Sequence, residues 1–303
     1  MTATEETPAS SAVPASSAST ASAVDAGGAR PVIVDLSVPV DPEYWEPEPV
    51  RRKVIGHREG ADLLGRSYAY LRAPNRLARW VSVLLHRLGR GVNHRDFPDG
   101  KGLSLMHYTL TTHTGTHMDA PWHYGDLTAS GERARTICEV PLDWCHGDGV
   151  LLDLRAGPAD QAVTATEIAA ALGAIDYTIK PLDIVLLWTG GDTEIGTRGY
   201  FQRFRGVTRE ATAYLVERGV KVIGVDSFGF DAPFLRMLES YMDSGEVADL
   251  WPAHLYGREA EYCQLERLTN LGAIGRPHGF RVSCFPVKLA GGDAGWTRVV
   301  AHV

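Results

Sequence analysis

Cysteine is scarce in this chain: four in 303 residues, at Cys138, Cys145, Cys263 and Cys284. None forms a C-x-x-C pair. That excludes a zinc ribbon or a thioredoxin-type site and leaves reduced, partly buried thiols of a cytosolic protein. No run of about 18 apolar residues occurs, so no transmembrane helix is expected. A basic excess is also missing. Lys and Arg number 30 against 37 Asp and Glu, a net charge of −7, which argues against general nucleic-acid binding. Large apolar side chains are nearly absent from residues 8–29, which are mostly Ala, Ser, Thr, Gly and Pro. Such a segment has little to bury, so residues 1–30 are expected to form a disordered tail. Glu5 and Glu6 stand where a secretory signal carries its basic region, and Arg30 is the tail's single arginine, too few for a transit peptide. The expected location is cytoplasmic. There is no internal repeat and no glycine-rich phosphate loop.

What is present, residues 31–303, suffices for one large domain with a good core. Val-rich residues 32–40 read as a first strand, ended by Asp41-Pro42. Gly149–Leu154, Asp183–Thr189 and Val220–Val225 read as further strands, the last two continuous and apolar enough to be buried on both faces. Another strand is expected over 279–290. Thr164-x-x-Glu167 is a capping box opening a helix through Leu172, and Thr208 caps a helix to Glu217. The mixture is α/β. Residues 51–101 differ, with 12 Lys and Arg against 4 Asp and Glu, while the remainder has 18 against 33. Here Leu77, Trp80, Val81, Leu84, Leu85 and Leu88 follow helical spacing, and Pro74 suits the first turn. A weaker helix is expected over 60–72. This basic segment is either an insertion packed on the domain or a second subunit, or a docking surface for an acidic partner or anionic substrate.

One run carries chemistry: His113-Thr-Gly-Thr-His117-Met-Asp119-Ala-Pro121-Trp-His123. In an extended segment, side chains two apart share a face, which puts His117, Asp119 and His123 together. His113 is too far from His117 for one ion if the chain is straight, but Gly115 can take positive φ and bend it back. A single histidine in a loop is usually a surface residue. The full string is far rarer by chance, and its donors suit Zn, Mn or Fe(II) better than Ca or Mg. A second polar cluster follows at His254 and at Gln264-Leu-Glu266. Alone, Glu266 reads as a solvated helix residue.

Together these pieces resemble the bacterial kynurenine formamidases and the wider cyclase family of metal hydrolases. The matching segments are Asp35-Leu-Ser-x-Pro39, the His113–His123 run, Leu186-Leu-Trp-Thr-Gly190, Gly219-Val-x-x-Ile-Gly-Val-Asp226 with Asp231, His254 twelve residues before Glu266, and Phe285-Pro-Val-Lys-Leu-x-Gly-Gly292. The resemblance covers most of residues 32–300 and fails over about 51–105, a basic helical insertion. It implies a swivelling β/β/α cyclase-like single domain, a homodimer or homotetramer, and one or two divalent ions per subunit, Zn or Mn. His113, His117 and Asp119 would ligate one ion; Asp119, His254 and Glu266 would ligate a second. His123 corresponds to the catalytic acid/base, with a fourth ligand or a residue that orients a ligand as its alternatives. Trp45 corresponds to a substrate-packing aromatic. Trp122, Tyr124, Phe228 and Phe230 are further pocket candidates, with ordinary core packing as the alternative for each. Asp226 and Asp231 are expected to shape their loop by hydrogen bonding.

The implied function is hydrolysis of an amide, formamide, lactam or ester beside an aromatic or planar group, by metal-bound hydroxide with His123 protonating the leaving nitrogen. Arylformamidase, isatin hydrolase and dienelactone hydrolase chemistries all fit the motif. Two alternatives stand beside it: a biosynthetic cyclase or dehydratase on the same site, and a metal-stabilised binding protein without turnover.

Overall fold

The computed structural model describes residues 32–303, so the expected tail at 1–30 lies outside the described residues. Among the described residues eleven strands are formed: β1 (Ile33–Asp35), β2 (Arg51–Ile55), β3 (Leu105–Thr109), β4 (His117–Asp119), β5 (His146–Asp153), β6 (Ile184–Trp188), β7 (Val222–Val225), β8 (Cys263–Glu266), β9 (Phe280–Ser283), β10 (Ala294–Trp296) and β11 (Val300–His302). The helices are α1 (His57–Arg72), α2 (Arg76–Arg87), α3 (Pro121–Tyr124), α4 (Ala165–Ala174), α5 (Arg198–Gln202), α6 (Arg209–Val216), α7 (Phe234–Ser244) and α8 (Pro252–Tyr256).

Nine strands make one sheet in the order β1-β11-β9-β5-β6-β7-β8-β4-β10, with β5 through β8 parallel and the flanks antiparallel. The parallel centre follows from composition. Ile184–Leu187 and Val222–Val225 are buried throughout, and only a strand covered on both faces reads as a continuous apolar run. Alternate residues serve opposite cores. Val150, Leu152, Val185 and Leu187 meet Ile168 and Leu215 of α4 and α6. Leu151, Ile184 and Leu186 meet Leu36, Phe280 and Val299 on the other side. Thr164 and Glu167 form the anticipated capping box, and Thr208 caps α6 by accepting from the Ala211 amide. The four cysteines are free thiols; Cys145, Cys263 and Cys284 are buried.

Several expected boundaries change. The first strand stops at Asp35 rather than reaching 40, because Pro39 and the side-chain turn at Asp35–Ser37 divert the chain. The last expected strand stops at Ser283, since Pro286 cannot donate to a ladder. Asn75, not Pro74, starts α2, its side chain accepting from the Ala78 amide at 2.9 Å. The basic segment is an arm built from α1, α2 and a separate two-stranded ribbon of β2 and β3, and the ribbon has no counterpart in the sequence reading. No helix among the described residues is long and apolar enough to cross a membrane.

Candidate metal centre

The site forms where β4 lies between β8 and β10. Register does what sequence distance hides: His117 stands directly opposite Glu266, and Asp119 opposite Gln264 and Ala294. Opposed residues on neighbouring strands bring their Cβ atoms to about 5 Å, so a residue 149 positions downstream becomes a neighbour. His117 and Asp119 share one face of β4, with Nε2 and Oδ1 3.3 Å apart. Gly115 takes φ of 68°, and this left-handed bend brings His113 Nδ1 within 3.3 Å of His117 Nε2. The threonine after it anchors the bend: Thr116 Oγ1 donates to the Arg267 carbonyl at 2.6 Å and accepts from the Val38 amide at 2.9 Å. His123 reaches the site by a different route from the expected one. The chain leaves the extended conformation at Ala120, and Pro121, with φ already helical, opens the short helix α3 that carries His123. Its ring centroid lies 4.3 Å from that of His113 and 5.4 Å from that of His254.

Each of the three innermost histidines has one ring nitrogen held by a protein acceptor. His117 Nδ1 donates to the Gly115 carbonyl at 2.8 Å, His254 Nδ1 to Asp231 at 2.5 Å, and His113 Nε2 to Asp293 at 3.1 Å. The other nitrogen of each turns inward. His254 Nε2 is 3.9 Å from Asp119 Oδ2 and 4.0 Å from Glu266 Oε1, while His117 Nε2 is 3.5 Å from Glu266 Oε2. In the middle, both Asp119 oxygens are shut off from solvent without a hydrogen bond of acceptable geometry, although His113 Nδ1 comes within 3.0 Å. A buried carboxylate surrounded by acceptor nitrogens is untenable without a cation or protons between them. The donor chemistry of imidazole and carboxylate fits a divalent ion of the zinc or manganese type, and His113, His117 and Asp119 already converge tightly enough to share one.

Protonation tells the same story. Burial opposes charge on His113, but the Asp119 and Asp293 carboxylates outweigh it and push its pKa up to about 9. Burial likewise opposes charge on His254, and Asp231, Glu266 and Asp119 raise it nonetheless. Glu266 is raised by burial and by the charge of Asp119. Asp119 itself would rise on burial, yet the imidazoles of His117, His123 and His113 hold it well below the usual range. Protons favoured on His113 and His254 thus occupy the place a cation would take.

Beside the donors lies a cavity of about 220 Å³ whose walls include Phe201, Phe204, Phe228, Phe230 and Trp251, with His113, His123, His254 and Glu266 at its floor. A larger cavity of about 460 Å³ lies in the arm among Lys53, Arg66 and Arg87, remote from this chemistry. Of the anticipated pocket aromatics, Phe228 and Phe230 line the smaller cavity. Trp45 stands behind it, its ring 5.5 Å from Phe201. Tyr124 is a core residue stacked on Tyr262 and set edge-on to His254. Trp122 faces the Arg133 guanidinium instead of the cavity. Glu266 ends the buried strand β8 and is not a solvated helix residue. Asp231 shapes its loop as expected, accepting also from the Ala253 and His254 amides, and Asp226 accepts from the Thr189 and Gly190 amides.

Two functional candidates escaped the sequence reading. Asp293 holds His113, accepts from Thr112 and sits 3.8 Å from His123 Nδ1; the His123 imidazole foremost, then His113, keep it well below the carboxylate range. It follows Gly292 at the end of a recognised motif, and only the β4–β10 pairing shows where it goes. Arg267, at φ of 59°, lies 3.7 Å over the Phe228 ring and is clamped by Glu46 at 2.7 and 2.9 Å. No sequence signal singles it out.

Comparison with known proteins agrees with this architecture. The chain is 25% identical over 281 residues to cyclase-like protein 2 of Arabidopsis thaliana, covering 91% of this chain and 90% of that one. It is 25% identical over 202 residues to a kynurenine formamidase of Maricaulis maris, covering 65% of this chain and 80% of that one. Among solved structures, an isatin hydrolase bound to the product analogue thioisatinate superposes with a TM-score of 0.64 at 19% identity, over 89% of this chain and 92% of the other. That likeness establishes the α/β cyclase-like fold. A family model described as "Putative cyclase" matches residues 34–232, the segment that contains the whole His113–His123 run, and on this match the chain belongs to the cyclase family.

Proposed function

We propose that this protein is a metal-dependent hydrolase that opens an amide, formamide, lactam or ester bond beside an aromatic or planar group. The observation that carries this reading is the pair of unsatisfied Asp119 oxygens facing inward-turned histidine nitrogens at the floor of an aromatic cavity. A divalent cation bound there supplies Lewis acidity and lowers the pKa of a water it holds. His113, His117 and Asp119 would hold one ion, and Asp119, His254 and Glu266 would hold a second. The two oxygens face different histidines, which supports a reading with two ions per chain.

The remaining roles belong to this chain's own groups. Phe228 walls the cavity beside a flat substrate over the donor floor, and the fully buried Phe230 helps keep bulk water away. His123, about one-third exposed and beside Asp293, takes the proton released as water adds to the carbonyl carbon. It returns that proton to the nitrogen as the C–N bond breaks, or to the alkoxide oxygen of an ester. Asp293 orients both His113 and His123 for this exchange.

The test is turnover of N-formyl-L-kynurenine, isatin and an aryl lactone by metal-stripped protein reloaded with Zn or Mn. At least one is expected to be hydrolysed with kcat/KM of about 10⁴ M⁻¹s⁻¹ or more, and that activity is expected to vanish on chelation. Metal-loaded protein inert toward all three would overturn the hydrolase reading and favour ring closure or dehydration on the same site.

A further inference from the structure

Arg267 sits in the wall of the candidate active-site cavity with part of its hydrogen-bonding capacity unused. Its side chain is 7% exposed, and it lines the cavity together with His113, His123 and Phe228. Three contacts hold it. Nε donates to the Phe228 carbonyl at 3.3 Å, Nη1 donates to both Glu46 oxygens at 2.7 and 2.9 Å, and Cζ lies 3.7 Å over the Phe228 ring. A guanidinium carries five N–H donors. These contacts leave the pair on Nη2 without an acceptor among the described residues. The side-chain atoms there that are both sealed from solvent and unpartnered belong to Asp119, Tyr124 and Gln264. Nη2 is therefore not sealed in, and the cavity is the opening that its side chain borders.

The backbone adds a second observation. Arg267 has φ of 59°, a left-handed conformation that glycine and asparagine adopt far more readily than arginine. Such strain persists where the surroundings impose it, and it gathers at ligand clamps. An ion pair that merely pinned the chain at Glu46 would need no donor open to the cavity. Nor does the cavity wall supply the missing acceptor. Its carboxylates, Asp231 and Glu266, are committed elsewhere. Asp231 accepts from the Ala253 and His254 amides and holds the His254 ring. Glu266 faces the His117 and His254 nitrogens of the donor floor.

We infer that Arg267 is a specificity-determining residue: its Nη2 receives a carboxylate carried by the planar substrate, away from the bond that is broken. This deepens the proposed function and rests on it for the seating of substrate in this cavity. Charge selects a carboxylate over a neutral carbonyl. A buried guanidinium is costly to keep where a hydroxyl or amide would donate as well, and its hydrogen bonds to an ionised acceptor are the shorter and stronger ones. Glu46 compensates the cation before the ligand arrives. With the Phe228 contacts it also fixes where Nη2 stands, so little ordering is left to binding.

The test is calorimetric titration of the metal-loaded full chain with benzoate and with phthalate, isophthalate and terephthalate, whose second carboxylate stands at each ring position in turn. It requires no turnover, so its outcome is separate from that of the hydrolysis assay. At least one dicarboxylate is expected to bind about 10- to 100-fold tighter than benzoate, the range for hydrogen bonds to a charged group. The monoamide of that dicarboxylate keeps the shape, drops the second charge and is expected to lose the advantage. Arg267→Asn suits the left-handed backbone, and Glu46→Gln/Arg267→Asn leaves no unpaired carboxylate behind. Both are expected to bind the dicarboxylates no tighter than benzoate, with wild-type metal content and with benzoate affinity within about twofold of wild type. A wild type without preference for any dicarboxylate would overturn the inference, whatever the variants do. So would a preference that the monoamide shares, or one that a folded, metal-loaded variant retains.

Discussion

The donor cluster and the arm violate the ordinary rules of burial in opposite directions. At the cluster, β4 and β8 carry His117, Asp119 and Glu266 into the interior, where Asp119 lacks any proper hydrogen bond. In the arm, α2 carries Leu77, Trp80 and Leu88 out into water. Each is unfavourable for an isolated chain, the first through desolvation of charge and the second through hydration of apolar surface. A cation between the donors would relieve the first, and a covering apolar surface would relieve the second. The two differ in rigidity. The cluster is fixed by sheet register and by acceptors behind His113, His117 and His254. The arm's helices and ribbon pack chiefly on one another.

Substitutions sharpen this contrast. The largest effect is expected for Asp119→Asn, which keeps the volume and removes the charge that both proposed metal positions would share. Bound metal should fall to background, and turnover should drop by more than the roughly 10²–10⁴-fold associated with loss of an acid–base group, as read by elemental analysis and rates on the same preparation. Next, His123→Ala should lower kcat by about 10²–10⁴-fold with the metal content of wild type. Loss of metal along with rate would make His123 a ligand instead. Asp231→Asn should weaken metal binding by about 10–100-fold, because it loosens the grip on His254 Nδ1; a competitive chelator titration measures this.

Acidity sets the next effect. His113 has its pKa pushed up to about 9 from 6.5, so its protonation stabilises the folded, metal-free protein. That contribution is fully present below about pH 6.5 and is lost as pH rises through about 9. A bound ion needs the neutral ring. Apparent metal affinity should therefore climb about tenfold per pH unit until about pH 9, for the one proton displaced, and level off above. Melting curves across this window should show the gap between metal-loaded and metal-free protein widening with pH. The smallest effect is expected in the arm. Trp80→Ser should leave metal affinity within about twofold, since distant sites couple by no more than about 0.5 kcal/mol. A larger change would mean that arm and cluster are not separate.

How much of this was legible in the sequence follows from how each residue reaches its place. His113, His117 and Asp119 could be read because a local rule suffices: alternation along a strand and a bend at Gly115. The buried strands at 184–187 and 222–225 were legible from continuous apolarity, and α4 from its capping box. His123 was placed in the site, but by the wrong path, because the helical preference of Pro121 overrode alternation. His254 and Glu266 came from the family resemblance, since only the β4–β8 register brings in Glu266 and only α8, tied down by Asp231, brings in His254. Asp293 and Arg267 depend wholly on pairings between distant segments and carried no local mark. The amphipathic stripe of α2 was visible, yet periodicity records that a face is apolar and not what covers it.

The most direct test is equilibrium titration of metal-stripped full-length protein with Zn or Mn, counting bound ions per chain in wild type and in Asp119→Asn. The account predicts two ions for wild type and none held tightly by the variant. A wild type that binds no ion, or a variant that binds as wild type does, would contradict it.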